Sequence, residues 1–577
     1  MQSPSTHVVC PHHPACPGCP LIELPPEAAR EQKRARVAQA CALFPELRSV
    51  VVHPCIPAPS LTGYRTRVKC AVDSSVGSRA AIGLYRRNTH KVVDLPQCRV
   101  IVPELVPIFD DLRTLICQTQ APIAHLDVRW SRYQKKAHVT FVTNKRAPIA
   151  PCERLATLLM QAHPEVAGVG LRRADRGPVL RPLVGKTEPI AGSPFLIEKI
   201  GRYLFRLSPG SFFQANPGAA YILQKTVATW CAEYTSAKYL VDLFAGVGLF
   251  AIGVALRGRT VTAVESAEQA AADARESATL SHVAVTVHCM PAEKTCSLLS
   301  AMHPDIVILD PPRRGAALTL LTAIGTARPS RIVYVACDPE TLARDLAVLV
   351  VHGYRISQLV PLDMFPLTDH VETAVLLEHV EPVRRIRVRY RDNVMHVSEK
   401  RFPFQTPPQE YADYPCLIHS PPSGASGMVI HMKARPKKPV LLEYLALVKG
   451  IPHKKGHLPC RKKTHRSGQE TYRLLSVIGG YGLVRIYCNS ARKLDVLRQF
   501  WRIGHPILGD EQFGDRRANH FLTETCGLHR LWLHLHRVFL RRADGTRIRL
   551  CMPLPHDLRF VIRRLRTIRI QMDNSEG

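Results

Sequence analysis

Several segments of this chain end an apolar run on a residue able to do chemistry. Val333–Cys337 reads VYVAC and leaves Cys337 at the end of a predicted strand. A thiol there becomes a nucleophile once its thiolate is stabilised. Asp305–Gly315 reads DIVILDPPRRG, which delivers Asp310 to a strand end and holds the next turn with two prolines. Phe365–Thr373 reads FPLTDHVET and offers Glu372. A buried carboxylate near a thiol can take up a proton. Val241–Phe250 reads VDLFAGVGLF, with Gly246 and Gly248 in the turn before a helix. Glycines there let the backbone approach a ligand. The next strand ends at Val264 and Glu265 follows. A carboxylate in that place accepts hydrogen bonds from both ribose hydroxyls of an adenosine cofactor. No G-x-x-x-x-G-K-[ST] run occurs, which disfavours ATP.

A second constellation is Cys10, Cys16 and Cys19, spaced C-x5-C-x2-C, with Cys98 further on in LPQCRV. Such a set suits a [4Fe–4S] cluster or a zinc ion, and spacing alone leaves the two equally open. The other cysteines, Cys337 apart, have no ligand spacing. Eighteen cysteines in a long chain that begins without an export signal imply a reducing compartment, hence the cytoplasm.

The elements that must position these groups follow from the hydrophobic pattern. Strand-like runs at Tyr239–Phe244, Thr260–Val264, Val283–Val287, Asp305–Leu309 and Arg331–Val335 alternate with helical segments. That alternation predicts a doubly wound parallel sheet, entered through a helix at Ala219–Tyr234. Pro26–Leu43 also reads as a helix. Val50–Leu207 reads as an antiparallel β region with a few helices, from short segments such as Arg65–Val72 and Ala137–Val142. Val383–Tyr390 is a basic junction and Arg401–Pro408 is loop-like.

The chain has 577 residues, 78 of them basic and 47 acidic, for a net charge of +31. Residues 381–577 hold 37 of the basic and 16 of the acidic residues, a net of +21. That balance points to a polyanionic partner, nucleic acid first. At 46% hydrophobic residues the chain is globular rather than disordered. The most apolar stretch, around Tyr239–Leu256, is broken by Asp242, Gly246, Gly248 and Gly253, so no membrane span is expected.

SPGSFFQANP (Ser208–Pro217), DLFAGVG (Asp242–Gly248), DPPRRG (Asp310–Gly315), CDPETLARDL (Cys337–Leu346) and DMFPLTDHVET (Asp363–Thr373) together resemble the RNA (uracil-5-)-methyltransferase family. The resemblance runs from about residue 10 to 380, with the motifs in the family's order. It implies an α/β, Rossmann-like S-adenosylmethionine-dependent domain in which Gln214, Phe244, Glu265 and Asp310 line the cofactor site. Cys337 would be the nucleophile and Glu372 the general base, with Arg344 and Asp345 supporting the active-site loop. The resemblance favours the [4Fe–4S] cluster over zinc at Cys10, Cys16, Cys19 and Cys98, and leans toward 23S ribosomal RNA, or a pre-ribosomal particle, over transfer RNA. YRTRVKCAV and IGLYRRNTHKVVDLPQC also match, making Arg65, Arg67, Arg86 and Arg87 candidate phosphate contacts. Two departures stand out. Asp338 follows the nucleophile where the family usually has Asn, and Ser277 and Ser281 replace asparagines near the adenine side.

Residues from about 385 onward resemble the pseudouridine synthases of ribosomal and transfer RNA, through IGHPILGDEQFG (Ile503–Gly514) and GQETYRLLSVIGGYGLVRI, which contains Tyr472. The family's H-R-L-D-x-x-T-S-G aligns with HSPPSGASG (His419–Gly427), so Pro422 replaces the essential Asp. The later H-Q-[IL]-R aligns with Leu494–Leu497, leaving Arg498 adjacent. Isomerase activity is expected to be lost and a basic α+β domain kept, with Lys454–Lys463 and Arg559–Arg569 as its densest runs. Four domains result: a Cys head and helix over 1–48, a β-rich substrate-binding region over 49–207, the methyltransferase domain over 208–382, and a degenerate RNA-binding domain over 383–577. Two competing readings remain: a non-catalytic RNA-binding or ribosome-assembly factor, and a bifunctional enzyme that also isomerises uridine.

Overall fold

The computed structural model describes residues 8–75, 77–174, 187–256, 258–380, 388–391, 395–400, 414, 416–422, 424–434, 440–459, 470–489, 496–528, 530–541 and 546–573. Arg401–Pro408, Leu494, the end of Lys454–Lys463 from residue 460 on and most of the basic junction lie outside them. The chain divides into two compact units. One is Met1–Arg313 with Ala323–Ala343 and His352–Val380, and the other is Arg314–Thr322 with Arg344–Val351 and Glu381–Gly577.

The first unit begins with helix α1 (Pro26–Ala42), one residue shorter than expected. A seven-stranded sheet follows, built from β1 (Arg67–Asp73), β2 (Ala81–Tyr85), β3 (Val92–Asp94), β4 (His125–Ser131), β5 (Lys136–Asn144), β6 (Val166–Ala174) and β7 (Glu188–Gly192). Its order is β3-β2-β1-β4-β5-β6-β7. Alternation along β4 decides its two faces. Leu126, Val128 and Trp130 pack under helices α2 (Val106–Thr119) and α3 (Ala150–Ala162), with Phe109, Leu112, Leu155 and Leu159. Asp127, Arg129 and Ser131 point the other way and are also buried. The β5–β6 pair is parallel, a departure from the all-antiparallel expectation, because α3 is the crossover between them.

A hairpin of β8 (Leu196–Ile200) and β9 (Tyr203–Leu207) leads through α4 (Pro217–Ala232) into a second seven-stranded sheet. Its strands are β10 (Tyr239–Leu243), β11 (Thr260–Glu265), β12 (Thr286–Cys289), β13 (Ile306–Leu309), β14 (Arg331–Ala336), β15 (Tyr354–Leu362) and β16 (Glu372–His379), in the order β12-β11-β10-β13-β14-β16-β15. Helices α5 (Leu249–Val254), α6 (Glu268–Leu280), α7 (Cys296–Met302), α8 (Leu318–Ala327) and α9 (Pro339–Val351) alternate with the strands. Five strands are parallel, whereas β16 runs antiparallel to both β14 and β15, so the sheet is mixed rather than purely parallel. The strand expected at Val283–Val287 starts at Thr286, since the chain before it is still leaving α6.

The second unit carries two antiparallel sheets. One is β17 (Val388–Arg391), β18 (Met395–Lys400), β20 (Gly427–Met432) and β19 (Cys416–His419), in that order. The other has the order β22-β23-β24-β21-β25-β26, with β21 (Leu441–Val448), β22 (Lys455–His457), β23 (Thr471–Ile478), β24 (Tyr481–Asn489), β25 (Leu533–Arg541) and β26 (Arg547–Cys551). Helix α10 (Val496–Arg502) inserts Phe500 among Tyr444, Ile486 and Leu535, while α11 (Arg516–Cys526) and α12 (His556–Asp573) close a second core around Trp532. Among the described residues, no helix is long and apolar enough to cross a membrane.

Candidate active site

Strand order reverses between β10 and β13, and the crevice beyond the strand ends at such a switch point is where open α/β sheets bind ligands. Phe244 and Asp310 follow those two strands directly. Phe244 has φ +66°, a left-handed backbone that is strained for an aromatic residue and recurs at functional turns. Gly246 and Gly248, at φ +56° and +90°, complete the turn into α5. Glu265 ends β11 and reaches back to this turn: its Oε2 accepts the Gly246 N–H at 2.9 Å, and Oε1 accepts the Ala267 N–H at 2.7 Å. Oε1 also accepts the Ser266 hydroxyl at 3.3 Å, so Oε2 keeps the spare lone pair for a ribose hydroxyl. Below the turn, fully buried Asp242 accepts the Ala251 N–H at 2.9 Å through Oδ2, while Oδ1 has no partner among the described residues. Burial, with Asp310 and Glu265 nearby, pushes its carboxyl well above the usual range. The chemistry of this donor set fits S-adenosylmethionine: a carboxylate that can accept from a ribose, an aromatic ring and acidic side chains suited to a cation.

The nucleophile candidate is placed by β14, which ends one residue before Cys337. Antiparallel pairing of Ala336 with Thr373 carries Glu372, the first residue of β16, to the same strand ends. Burial pushes the Cys337 thiol up to about 12, and Glu372, Asp310 and Asp338 add to that while Arg313 opposes it. Burial also raises the Glu372 carboxyl, helped by Asp310 and opposed by Arg313, and burial raises Asp310. The substrate-free pocket therefore holds a neutral thiol beside carboxyls displaced toward neutrality. Asp338 caps α9, because its Oδ1 accepts the Thr341 N–H at 2.9 Å. Asparagine caps equally well, so the departure from the family costs no helix stability. Thr341 Oγ1 donates to the Arg313 carbonyl at 3.1 Å. Asp345 Oδ2 accepts the Ala316 N–H at 2.8 Å and Arg344 donates to the Arg314 carbonyl at 2.9 Å. A Cβ on Gly315, at φ +77°, would meet both side chains within 2.5 Å. The DPPRRG glycine is thus required by close approach.

Gln214 is buried in the 208–216 loop, which the first sheet holds from below. Arg67 and Arg129 donate to the Ser211 carbonyl at 3.0 and 2.6 Å. Asp273 of α6 accepts from the Ser208 N–H and from the Ser208 and Ser211 hydroxyls at 2.7–2.9 Å. The sequence makes Arg67 a candidate phosphate contact, but the structure turns it inward. It is buried and bridges Asp127 with two hydrogen bonds. Burial pushes the Asp127 carboxyl up, but Arg67, Arg129 and Lys69 outweigh it and hold it near 2. Arg65 stacks on Phe365 at 5.0 Å, while Arg86 and Arg87 stay at the surface. Ser277 Oγ accepts the Arg206 N–H, and Ser281 Oγ accepts the Leu204 N–H and donates to the Leu204 carbonyl, tying α6 to β9.

Cys10, Cys16, Cys19 and Cys98 line one cavity of about 310 Å³, with Thr368, Asp369 and His370 also in its wall. Burial raises the Cys16, Cys19 and Cys98 thiols, Cys19 to about 12, and the neighbouring thiols add to the rise. Thiolates gathered this way repel one another until a cation neutralises them. The cavity fits a polynuclear cluster in donor chemistry, yet no three His, Cys, Asp or Glu side chains among the described residues stand in metal-coordinating geometry. All described cysteines are free thiols.

Sequence reasoning missed Arg313, which opposes the charges of Glu372 on Cys337 and meets His370 Nδ1 at 3.3 Å. It also missed Lys33 of α1, whose ammonium pairs with Asp363 at 2.5 Å and donates to the Phe365 carbonyl at 3.0 Å, steadying the segment before Glu372. A lysine on the apolar face of a predicted helix was the available signal. In the second unit, the Pro422 carbonyl accepts the Ala425 N–H at 3.1 Å, and Tyr472 is buried against Phe500 at 5.4 Å.

Residues 197–380 match the family model described as tRNA (uracil-5-)-methyltransferase. The chain is 32% identical over 385 residues to an uncharacterized RNA methyltransferase of Geobacter sulfurreducens, covering 64% of this chain and 76% of the relative. It is 30% identical over 390 residues to the 23S rRNA (uracil(1939)-C(5))-methyltransferase RlmD of Halomonas elongata, covering 65% and 77%. Among solved structures, it resembles the tRNA (uracil-54, C5)-methyltransferase of Pyrococcus abyssi in complex with S-adenosyl-L-homocysteine, at 27% identity and a TM-score of 0.52, over 63% of this chain and 86% of that one. With this sequence match behind the crevice, the turn and the paired strand ends, the chain belongs to the S-adenosylmethionine-dependent RNA (uracil-5-)-methyltransferases.

Proposed function

We propose that this enzyme methylates C5 of a uridine in 23S ribosomal RNA through a covalent adduct between Cys337 and C6. The observation that carries the reading is the β14–β16 register, which sets a thiol and a carboxyl from distant segments at adjacent strand ends. S-adenosylmethionine, held by Gln214, Phe244, Glu265 and Asp310, supplies an electrophilic methyl group and a positive charge that favours ionised neighbours. Cys337 Sγ, as the thiolate, forms a bond to C6 and makes C5 enolate-like. C5 takes the methyl group, and the sulfonium S–CH₃ bond breaks with its electron pair left on sulfur. Glu372, ionised, removes the C5 proton. The Sγ–C6 bond then breaks and restores the uracil ring and the thiolate. The target base must leave its stack to reach Cys337.

In this reading Cys10, Cys16, Cys19 and Cys98 hold a [4Fe–4S] cluster that ties the 1–48 head to the 49–207 region, with zinc as the alternative. Residues 383–577 form a degenerate pseudouridine-synthase-like domain without isomerase activity, because a proline at 422 has no carboxylate to offer. The domain grips RNA by charge. The RlmD relative supports 23S RNA as substrate, and the Pyrococcus abyssi structure keeps transfer RNA as the second reading. The test is anaerobic incubation with unmodified 23S RNA and S-adenosylmethionine, followed by nucleoside mass spectrometry. 5-Methyluridine is expected with wild type and absent with Cys337→Ala. Product from the mutant would overturn the covalent mechanism, and product on transfer RNA alone would move the substrate.

A further inference from the structure

Trp501 is 51% exposed at the end of α10, a large apolar ring left uncovered on a unit of strongly positive charge. Phe513 packs against it, with ring centroids 5.9 Å apart and planes tilted by 43°. The pair is held from beneath. The His505 ring bonds the Lys449 carbonyl at 2.9 Å, and the Lys449 N–H donates to the Pro506 carbonyl at 3.0 Å, fixing the loop between Trp501 and Phe513 to the end of β21. Lys449 also pairs with Asp515, which offsets one of the two acidic charges two residues from Phe513.

The flanking charges are basic. Arg502 follows Trp501 and is exposed, and Arg516 and Arg517 occupy the first turn of α11, also exposed. Cations in a first helical turn oppose the helix dipole, so they do not serve α11 itself. Arg498 lies one turn before Trp501 on the same face; it is half-buried, and its buried Nε has no hydrogen-bond partner among the described residues. Glu511 is the one exposed acid in this stretch of the described residues. An exposed aromatic pair with arginines close to it in sequence matches a stacked base with phosphates on either side.

We propose that Trp501 and Phe513 form a stacking platform for an unpaired nucleobase, with Arg498, Arg502, Arg516 and Arg517 holding the adjoining phosphates. This rests on the reading of the second unit as an RNA grip and adds to it a preference for single-stranded RNA. A base paired in a duplex presents no free face to the platform, whereas a loop or junction does.

The test uses the full chain and a single-stranded oligoadenylate, which offers no uridine to the methylation site, beside an RNA duplex of equal length. Binding is read by anisotropy at several salt concentrations. Wild type is expected to prefer the single strand. Trp501→Ala is expected to weaken single-strand binding about ten-fold with an unchanged salt slope and little change for the duplex. Trp501→Phe should recover most of the loss. The double variant Arg516→Glu/Arg517→Glu should weaken both RNAs and flatten the salt slope. Wild-type single-strand affinity in Trp501→Ala overturns the platform. If the arginine variant still weakens both RNAs in that case, the charge grip stands without stacking. If neither variant matters, both readings fail. A concentration-dependent dimer lost in Trp501→Ala would assign the surface to a second copy and also overturn the platform.

Discussion

The Cys337 pocket is built to stay quiet until substrate arrives. Its thiol is pushed up to about 12 chiefly by burial, with the Glu372 charge next and Asp338 the smallest contribution. Asp338→Asn keeps the α9 cap and removes that smallest contribution. Iodoacetamide alkylation of Cys337 should therefore accelerate less than ten-fold at fixed pH, and a larger gain would mean that Asp338 dominates the thiol. Glu372 gives a prediction of two signs. Burial raises its carboxyl, so the folded protein binds a proton that the unfolded chain releases near the ordinary carboxylate range. Its contribution to stability is then present at low pH and lost as pH rises through the raised folded value. Methylation needs the ionised form and gains over the same interval. Glu372→Gln should be at least as stable as wild type above neutrality, form no 5-methyluridine, and accumulate an RNA–protein adduct that survives denaturing electrophoresis. Turnover by this variant would remove Glu372 as the base.

At the scale of elements, the first sheet acts as an anvil for the cofactor loop. Arg67 and Arg129 rise from adjacent strands; Arg67 pairs with Asp127, Arg129 adds its charge nearby, and both hold the Ser211 carbonyl. Asp127→Asn would leave two buried guanidinium groups short of a countercharge, a loss of about 3 kcal/mol for a broken buried pair. Thermal unfolding should show that loss, and S-adenosylmethionine affinity measured by calorimetry should fall with it, because Ser208–Asn216 carries Gln214. Unchanged affinity in a destabilised variant would separate the sheet from the site. The pair also has an acid signature. A carboxyl held near 2 stabilises the fold above the ordinary carboxylate range, and that contribution disappears as pH falls toward 2. This clamp shows where the sequence stops being legible. The β10–β14 alternation, the glycine turn and the strand-end Cys337 are local patterns and can be read directly. That Arg67 faces inward to a loop more than 140 residues away depends on which face of β1 is covered, and YRTRVKCAV alternates charge without saying so. The antiparallel return of β16 is equally hidden, since ETAVLLEH reads as a buried strand of either direction.

For the whole molecule the governing fact is asymmetry of charge: +21 of the +31 falls in residues 381–577. The length and excess charge of that region were legible from composition. The two antiparallel sheets and the uncovered Trp501 were not, because exposure depends on how α10 seats Phe500 inward and turns its neighbour out. Charge on that scale sets how the enzyme responds to salt. Each arginine that neutralises a phosphate releases counterions, so the log of RNA affinity falls nearly in proportion to the log of salt. The Arg563 and Arg566 side chains are exposed on α12, and both lie far from Cys337 in sequence. Changing both to Ala should reduce the steepness of that fall by about two, weaken RNA binding at physiological salt, and leave S-adenosylmethionine affinity unchanged. Methylation should then show a raised KM for RNA with an unaltered kcat, since in the proposed mechanism Cys337 and Glu372 complete the chemistry once the base is seated. If kcat falls instead while the salt slope holds, α12 serves the methyl transfer itself and the division of labour between grip and chemistry is wrong.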